Sequence, residues 1–181
     1  DDWNTAITAG DSSDITGNAI TVANTAPTLA NLNGDIVNFV IGGTAIALDA
    51  SNDATITDLS SANFDGGNVT VSIVANGQAG EDVLSIGTVG SITTSGSNVN
   101  HGGTTIGTFA GGSGGANLVI TLSANATVIR VQDLVRALQY TDTDPATVNT
   151  FARTVRVVVI DGAGGSDTST NQDVTVNLVN A

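Results

Sequence analysis

Apolar residues recur at every second position in many short stretches of this chain, and no other sequence feature constrains its fold as strongly. Alternation with a period of two is typical of a β-strand, because successive side chains point to opposite faces of a sheet. We predict strands over Asn18–Ala23, Ile36–Ile41, Ala45–Leu48, Val69–Ile73, Val83–Ile86, Thr105–Phe109, Leu118–Leu122, Val155–Ile160 and Val174–Leu178.

The residue types of the chain support the same interpretation. Val, Ile and Thr favour strands, whereas the abundant Gly, Asn and Asp favour the turns between them. Hydrophobic residues make up 40% of the chain, which is enough for a sizeable core, and there is no cysteine to supply disulfides. The sequence therefore predicts an all-β fold, a two-sheet antiparallel sandwich.

One segment departs from the alternation and predicts a short helix. In Val131–Leu138 the apolar residues fall at positions i, i+3, i+4 and i+7, which places them on one face of a helix. We expect about two helical turns here, as a crossover between the sheets or a plug over one open end of the sandwich.

The Gly-, Ser- and Thr-rich stretch Gly87–Gly115 and the segment Asn24–Pro27 bear on domain organisation. Strand-like pieces interrupt the first, so we interpret it as hairpins with long turns inside the module. The second marks the predicted boundary, because a complete set of strands follows it. Residues 1–25 are then the last strand of a preceding module or the N-terminal part of a split domain, and residues 26–181 form one β-sandwich module.

The charge balance limits the partners of the chain. Seventeen acidic residues stand against four basic ones, for a net charge of −13. Such a surface repels phosphate, so neither nucleic acid nor an anionic membrane is a predicted partner. There is no apolar run of membrane-spanning length, so membrane insertion is not predicted either.

Crowded carboxylates repel one another unless a cation neutralises them, and hard oxygen ligands suit Ca²⁺. The acidic loops therefore predict calcium as a cofactor. A solvated acidic surface of a salt-adapted protein is the alternative, and it is compatible with the first. The predicted ligands lie in loops beside predicted strands, where ligands converge, although each would serve equally well as a turn-capping residue. They are Asp49, Asp58, Asp65, Asp161 and Asp167.

Catalysis is not predicted for this chain. One histidine and no cysteine are too few ligands for zinc or thiol chemistry. Gly111–Gly115 (GGSGG) matches the G-x-S-x-G nucleophile pattern, but a strand follows it and His101 precedes Ser113, which is the wrong context. We interpret His101 as an exposed loop residue. A polysaccharide hydrolase would need two carboxylates in a cleft with aromatic faces, and only Trp3 and Tyr140 offer such stacking.

Four segments of the chain carry distinctive motifs. They are NTAPTL at Asn24–Leu29, TDLSSANFDGGNVTVSI at Thr57–Ile73, VQDLVRALQYTDT at Val131–Thr143 and TVRVVVIDGAGGSD at Thr154–Asp167. In this order they resemble the junction, the acidic loop with its following strand, the helix-to-strand stretch and the penultimate strand with its turn in one known family. That family is the cadherin-like and immunoglobulin-like tandem modules of large bacterial adhesins of the RTX type.

The resemblance implies a cadherin-like or immunoglobulin-like sandwich, calcium at loops and module junctions, and a bacterial cell-surface or secreted location. Neighbouring modules of the same polypeptide are the implied partners, with a host or surface ligand bound through an adjacent domain. Two features depart from the pattern. Thr25 stands where the junction commonly has Asp, and Gly87–Gly115 makes the module long. A split domain with an insertion would account for the segment 1–25.

These observations favour a non-enzymatic function. We expect a calcium-stabilised scaffold module that extends or positions a ligand-binding domain of an extracellular bacterial adhesin. A module that itself binds a glycan or peptide through its loops is the alternative. The low aromatic content, 3% of the chain, favours the scaffold.

Overall fold

The structure is a computed structural model that describes residues 23–146, 149–164 and 167–180. The predicted strand at Asn18–Ala23 lies almost wholly outside the described residues, and so does most of the segment 1–25. The elements of the described part are β1 (Thr28–Ala30), β2 (Ile36–Val40), β3 (Ile46–Ala47), β4 (Thr55–Thr57), β5 (Asn68–Ala75), β6 (Asp82–Ile86), β7 (Ile92–Ser95), β8 (Asn98–His101), β9 (Thr104–Ala110), β10 (Leu118–Leu122), α1 (Val128–Arg136), β11 (Leu138–Asp142), β12 (Arg153–Ile160) and β13 (Gln172–Val179).

Eight strands form the larger sheet, in the order β2-β13-β12-β5-β10-β9-β8-β7. Its neighbouring strands are antiparallel except β2 and β13, which run parallel. In β12 and β13 every second side chain is buried, as the period of two predicts. β12 lies inside the sheet between β13 and β5, which agrees with the apolar residues on both of its faces.

The second layer consists of a three-stranded sheet (β3-β11-β6), the two-stranded ladder β1-β4, and α1. These elements share one apolar core with the larger sheet. Phe39 of β2 and Tyr140 of β11 meet edge to face between the layers, with ring centroids 5.5 Å apart. The predicted fold class, an all-β antiparallel sandwich with one short helix, is confirmed.

The helix begins and ends earlier than predicted. α1 spans Val128–Arg136, and Leu138 is already the first residue of β11. The apolar pattern marks only the buried face of a helix. The first turn of α1 carries the exposed Ile129, so the pattern does not predict where the helix begins. Leu138 fits the helical pattern because its side chain is also buried in the core, but the residue belongs to strand β11 and not to the helix.

The stretch Gly87–Gly115 contains hairpins, as predicted, but their turns are short. β7 joins β8 through Gly96–Ser97, and β8 joins β9 through Gly102–Gly103. Gly102 and Gly103 have φ of +56° and +82°, and two positive φ values are what a type I′ hairpin turn requires.

His101 is not an exposed loop residue, which corrects the interpretation from sequence. It is the last residue of β8, its side chain is 20% exposed, and its Nε2 lies 2.9 Å from Asp133 Oδ2. Asp133 lies on α1, so this contact joins the β8–β9 hairpin to the helix. Sequence spacing gave no sign of this contact, because the two residues are 32 positions apart.

Among the described residues, no helix has both the length and the apolar character needed to cross a membrane.

Candidate functional site

Two of the predicted ligands, Asp58 and Asp161, meet at one end of the sandwich. Asp58 follows β4 directly and Asp161 follows β12 directly, so each strand delivers a carboxylate where it ends. Ser61 Oγ donates a hydrogen bond to Asp161 Oδ2 over 3.2 Å and thereby joins the two loops. We call the set Asn24, Asp58, Ser60, Ser61, Asp161 and Gly164 the junction cluster.

Asp58 holds its own loop with one carboxylate oxygen only. Its Oδ1 accepts hydrogen bonds from the backbone N–H groups of Ser60 (2.8 Å) and Ser61 (2.9 Å) and from the Ser60 hydroxyl (2.9 Å). Its Oδ2 is buried and has no hydrogen-bond partner in the described part of the chain. A buried oxygen of this kind carries the desolvation cost of a lost partner unless another group, such as a cation, meets it.

Asp161 is almost fully buried, with 1% of its surface exposed. Its Oδ1 accepts the N–H of Ala163 (2.9 Å) and the side-chain amide of Asn24 (3.3 Å). Together with the Ser61 hydroxyl, these contacts fix the position of both carboxylate oxygens. Asp161 is therefore a preorganised acceptor.

Glycines bring the loop after β4 against the end of β12. A methyl group on Gly67 would lie 2.0 Å from the carbonyl oxygen of Ile160, and one on Gly162 would lie 2.4 Å from that of Asp65. No real side chain tolerates such distances. The two loops can therefore approach each other this closely only because glycine stands at positions 67 and 162, in the D-G-G and D-G sequences. This approach is what places Asp161 beside the Asp58 loop.

Asn24 brings the incoming chain to the same point. Its amide nitrogen donates to the carbonyl oxygen of Gly164 (2.9 Å) as well as to Asp161. Its amide oxygen lies 2.9 Å from Ser60 Oγ and shares the single hydroxyl proton of that serine with Asp58 Oδ1. Thr25 adds a contact from its backbone N–H to Ser60 Oγ (3.1 Å). Three segments that are distant in sequence therefore meet in one hydrogen-bonded cluster.

The oxygen types in the junction cluster suit calcium better than a transition metal. Among residues 23–146, 149–164 and 167–180, no group of three or more His, Cys, Asp or Glu side chains is placed to hold a metal ion. A cation here would thus be held by two carboxylates together with amide, hydroxyl and main-chain oxygens. Ca²⁺ accepts such a mixed and irregular shell, whereas Mg²⁺ demands a smaller octahedral one.

The other three predicted ligands have different surroundings. Asp49 is buried, and its two oxygens accept the N–H groups of Asp53 (3.2 Å) and Ala54 (2.9 Å), which is the turn-capping alternative. It lies beside the start of β4, whereas Asp58 follows the end of that strand. The side chain of Asp65 is exposed. The backbone N–H of Asp161 donates a hydrogen bond to the carbonyl oxygen of Asp167 (3.1 Å), and the carboxylate of Asp167 accepts a bond from the Thr168 hydroxyl.

Sequence reasoning did not assign Asn24, Ser60 and Ser61 to the site. The signal for the serines was present, because an Asp followed by Ser at the second and third positions is typical of a carboxylate that caps its own turn. Asn24 belonged to a recognised junction motif, but nothing in its spacing indicated that it meets residues 137 and 140 positions later.

A second polar centre is buried within the core. Arg153 of β12 is fully buried, and its Nε lies 3.1 Å from both carboxylate oxygens of Asp82 on β6. The Tyr140 hydroxyl donates to Asp82 over 2.5 Å, and burial raises the pKa of Tyr140 far above its ordinary value of 10.0. Arg153 also donates to the carbonyl oxygens of Asn149 and Phe151. These bonds tie the larger sheet to the smaller one.

Asp142 of β11 completes this centre. Its Oδ2 lies 3.8 Å from Arg153 Nη2, and each of these two buried atoms lacks a hydrogen-bond partner in the described residues. Burial raises the pKa of Asp142 above its ordinary value of 3.8. The N–H of Asp144 opposes that rise, and the carboxylates of Glu81 and Asp82 add to it.

Comparison with protein-family models and with curated protein sequences finds no match for this chain.

Proposed function

We propose that this chain is a calcium-stabilised scaffold module of an extracellular bacterial adhesin, which extends or positions a ligand-binding domain. The observation that carries the proposal is the buried, unpartnered Oδ2 of Asp58 within the junction cluster. The cluster contains two carboxylates and no basic side chain, so a divalent cation is the natural counter-charge.

The position of the cluster supports a role in joining modules. Asn24 and Thr25 lie where the described chain begins, and both contact the loop after β4. A cation bound by Asp58 and Asp161 would fix the incoming chain to two loops of the sandwich at once. Such a link limits the angle between this module and whatever precedes it, which is what a rigid spacer requires.

The resemblance of the motifs to RTX-type adhesin modules supports the extracellular assignment. Extracellular calcium modules bind with dissociation constants on the order of 0.1–1 mM, close to the calcium concentration outside cells. A site made of two carboxylates and neutral oxygens suits that range, because few charges hold the ion. Neighbouring modules are then the partners of this surface.

The test is a thermal melt in EDTA and again in 10 mM CaCl₂ at constant ionic strength, since salt alone would screen the charge of −13. One site at a hundredfold excess over its dissociation constant contributes about 2.7 kcal/mol. At 10 mM the excess over a dissociation constant of about 0.1–1 mM is roughly ten- to a hundredfold, so for a domain of this size we expect the midpoint to rise by roughly 3–10 °C. Magnesium should raise the midpoint less.

Two variants of the junction cluster, Asp58→Asn and Asp161→Asn, and one control variant assign the effect to a site. Asp58→Asn should remove most of the calcium-dependent rise, because it replaces the unpartnered carboxylate. Asp53→Asn is the matched control, since Asp53 is exposed, lies in the same segment and undergoes the same change of charge. Equal midpoints in EDTA and calcium would overturn the proposal. A rise that survives both Asp58→Asn and Asp161→Asn would show that the junction cluster is not the site.

Binding of a ligand by the module itself is the second candidate function. One observation favours it, a cavity at the other end of β5 from the junction cluster.

A further inference from the structure

A cavity of about 210 Å³ opens beside the segment that follows β5. Its walls come from that segment, from the beginning of β6 and from the turn between β9 and β10. The first residue of β5, Asn68, pairs with Ile160 next to the junction cluster, whereas Ile73 at the other end of the strand lines the cavity. The two sites are therefore separate.

The cavity combines two side-chain amides with a buried carboxylate whose oxygens already accept bonds from Arg153, Tyr140 and the Gln78 N–H. Asp82 lines it and is 96% buried, since only 4% of its surface is exposed. The side-chain amides of Gln78 and Asn117 line it as well, and they make no hydrogen bond to the residues that the structure describes. Both amides present a donor and an acceptor that a ligand can use.

Apolar and small residues shape the remaining wall. Ile73 and Leu84 supply apolar surface. A methyl group on Gly77 would lie 3.0 Å from Ile73 Cγ2 and 3.7 Å from Asp82 Oδ2, so the missing side chain keeps the space beside that carboxylate open. At the other side, a methyl group on Gly115 would lie 2.9 Å from Ala79 Cβ, so residues 79 and 115 border the same narrow opening.

These features select a class of ligand. An anion is disfavoured by Asp82 and by the net charge of −13. A cation gains little, because Arg153 already neutralises Asp82. A neutral ring that carries hydroxyl groups on its edge and C–H groups on its face fits both kinds of wall. Its hydroxyl groups can bond the amides, and its C–H face can pack on the apolar residues. The volume is below the range of about 300–1,000 Å³ that is usual for drug-sized ligands, so it suits a single ring.

We propose that this cavity binds one neutral sugar ring, such as the terminal residue of a glycan. The side-chain amides of Gln78 and Asn117 bond the hydroxyl groups of the ring, and Ile73 and Leu84 contact its C–H face. The inference deepens the second candidate function and does not depend on calcium at the junction cluster.

The test is a titration of the ¹⁵N-labelled protein with glucose, galactose, mannose and fucose, each followed by amide chemical shifts. We expect saturable shifts confined to the segments 73–79 and 112–117 with at least one of these sugars. Ala79→Leu should abolish the shifts, because its side chain fills the opening while position 79 is exposed and tolerates the change. Gln78→Ala and Asn117→Ala should each weaken binding about fivefold, the effect of one lost hydrogen bond.

Asn171→Ala is the matched control, since Asn171 is exposed and lies on the connection before β13, away from the cavity. It should bind as the unaltered protein does. Saturable shifts that disappear in Ala79→Leu and persist in Asn171→Ala support the proposal. An absence of shifts with all four sugars overturns it, and so do equal shifts with glycerol or saturable shifts with a simple alkylammonium ion alone. Titrations in EDTA and in calcium separate this result from that of the scaffold proposal.

Discussion

Asp82 and Asp142 are direct cross-strand partners in the ladder between β6 and β11, and both are buried. Like charges placed opposite each other destabilise a sheet. Arg153 reaches them from the other layer and lies within 4.0 Å of an oxygen of each carboxylate. One guanidinium thus counters two acids, and of these two acids it makes direct hydrogen bonds to Asp82 alone.

The first prediction concerns removal of the carboxylate that Arg153 bonds. Asp82→Asn takes away the charged partner of a fully buried guanidinium and weakens the bonds from Tyr140 and from the Gln78 N–H. We expect a loss of about 3–5 kcal/mol in the free energy of unfolding, because the buried guanidinium loses its only hydrogen-bonded carboxylate in the described part of the chain and keeps just the Asp142 oxygen 3.8 Å away. Urea denaturation at pH 7 measures it. A loss below about 1 kcal/mol would contradict the role given to this pair.

The second prediction concerns pH and Asp142. Because its folded-state pKa lies above 3.8, the folded protein keeps a proton over a pH range in which the unfolded chain has lost it. The contribution of this group to stability is therefore fully present below about pH 3.8 and falls as pH rises through the raised pKa. Asp142→Asn should remove this fall, so the variant should gain stability relative to the unaltered protein as pH rises. Urea denaturation of both proteins between pH 3.5 and 7 measures the difference, and a constant difference would contradict the raised pKa.

The third prediction concerns the close approach of two loops at Gly67. Gly67→Ala places a methyl group 2.0 Å from the Ile160 carbonyl oxygen, so the backbone must move. We expect a loss of about 1–3 kcal/mol or more and a weaker calcium response, because Asp161 moves with its loop. Gly80→Ala is the control, since nothing lies within 4 Å of its added methyl group, and it should change stability by no more than about 0.5 kcal/mol.

The fourth prediction concerns the ion pair on the outer face of the larger sheet. Arg156 and Asp173 make two short bonds, of 2.7 and 2.8 Å, but about a third of each side chain is exposed. Water and salt therefore screen the pair, and Asp173→Asn should cost less than about 1 kcal/mol, with less effect at high salt. The bonds from Arg156 lower the pKa of Asp173, so its contribution is present above pH 3.8 and is lost as pH falls through the lowered pKa. A loss of stability as large as that of Asp82→Asn would contradict the expectation that this exposed ion pair contributes less than the buried pair of Arg153 and Asp82.

The sequence alone determined the fold class, because alternation is a local property. Val155, Val157 and Val159 had to share one face of any strand that contained them, and that face is buried. Short elements with little alternation, such as β1 and β4, were not predicted, since two or three residues carry no periodic signal. The predicted helix boundaries were wrong for a related reason. An apolar pattern indicates which side chains are buried, but it does not indicate whether the backbone that carries them is a helix or a strand.

The candidate site depended on the tertiary structure. Composition indicated oxygen ligands for a cation, and Asp58 and Asp161 were both among the candidates, but Asp49 had the same local appearance. Only the close packing around Gly67 and Gly162 decided that Asp161 meets the Asp58 loop while Asp49 caps its own turn. The same holds for Arg153, whose partners lie 71 and 11 positions away on another sheet. Local patterns specify which face of a strand is apolar, whereas the pairing of strands decides which loops and charges meet.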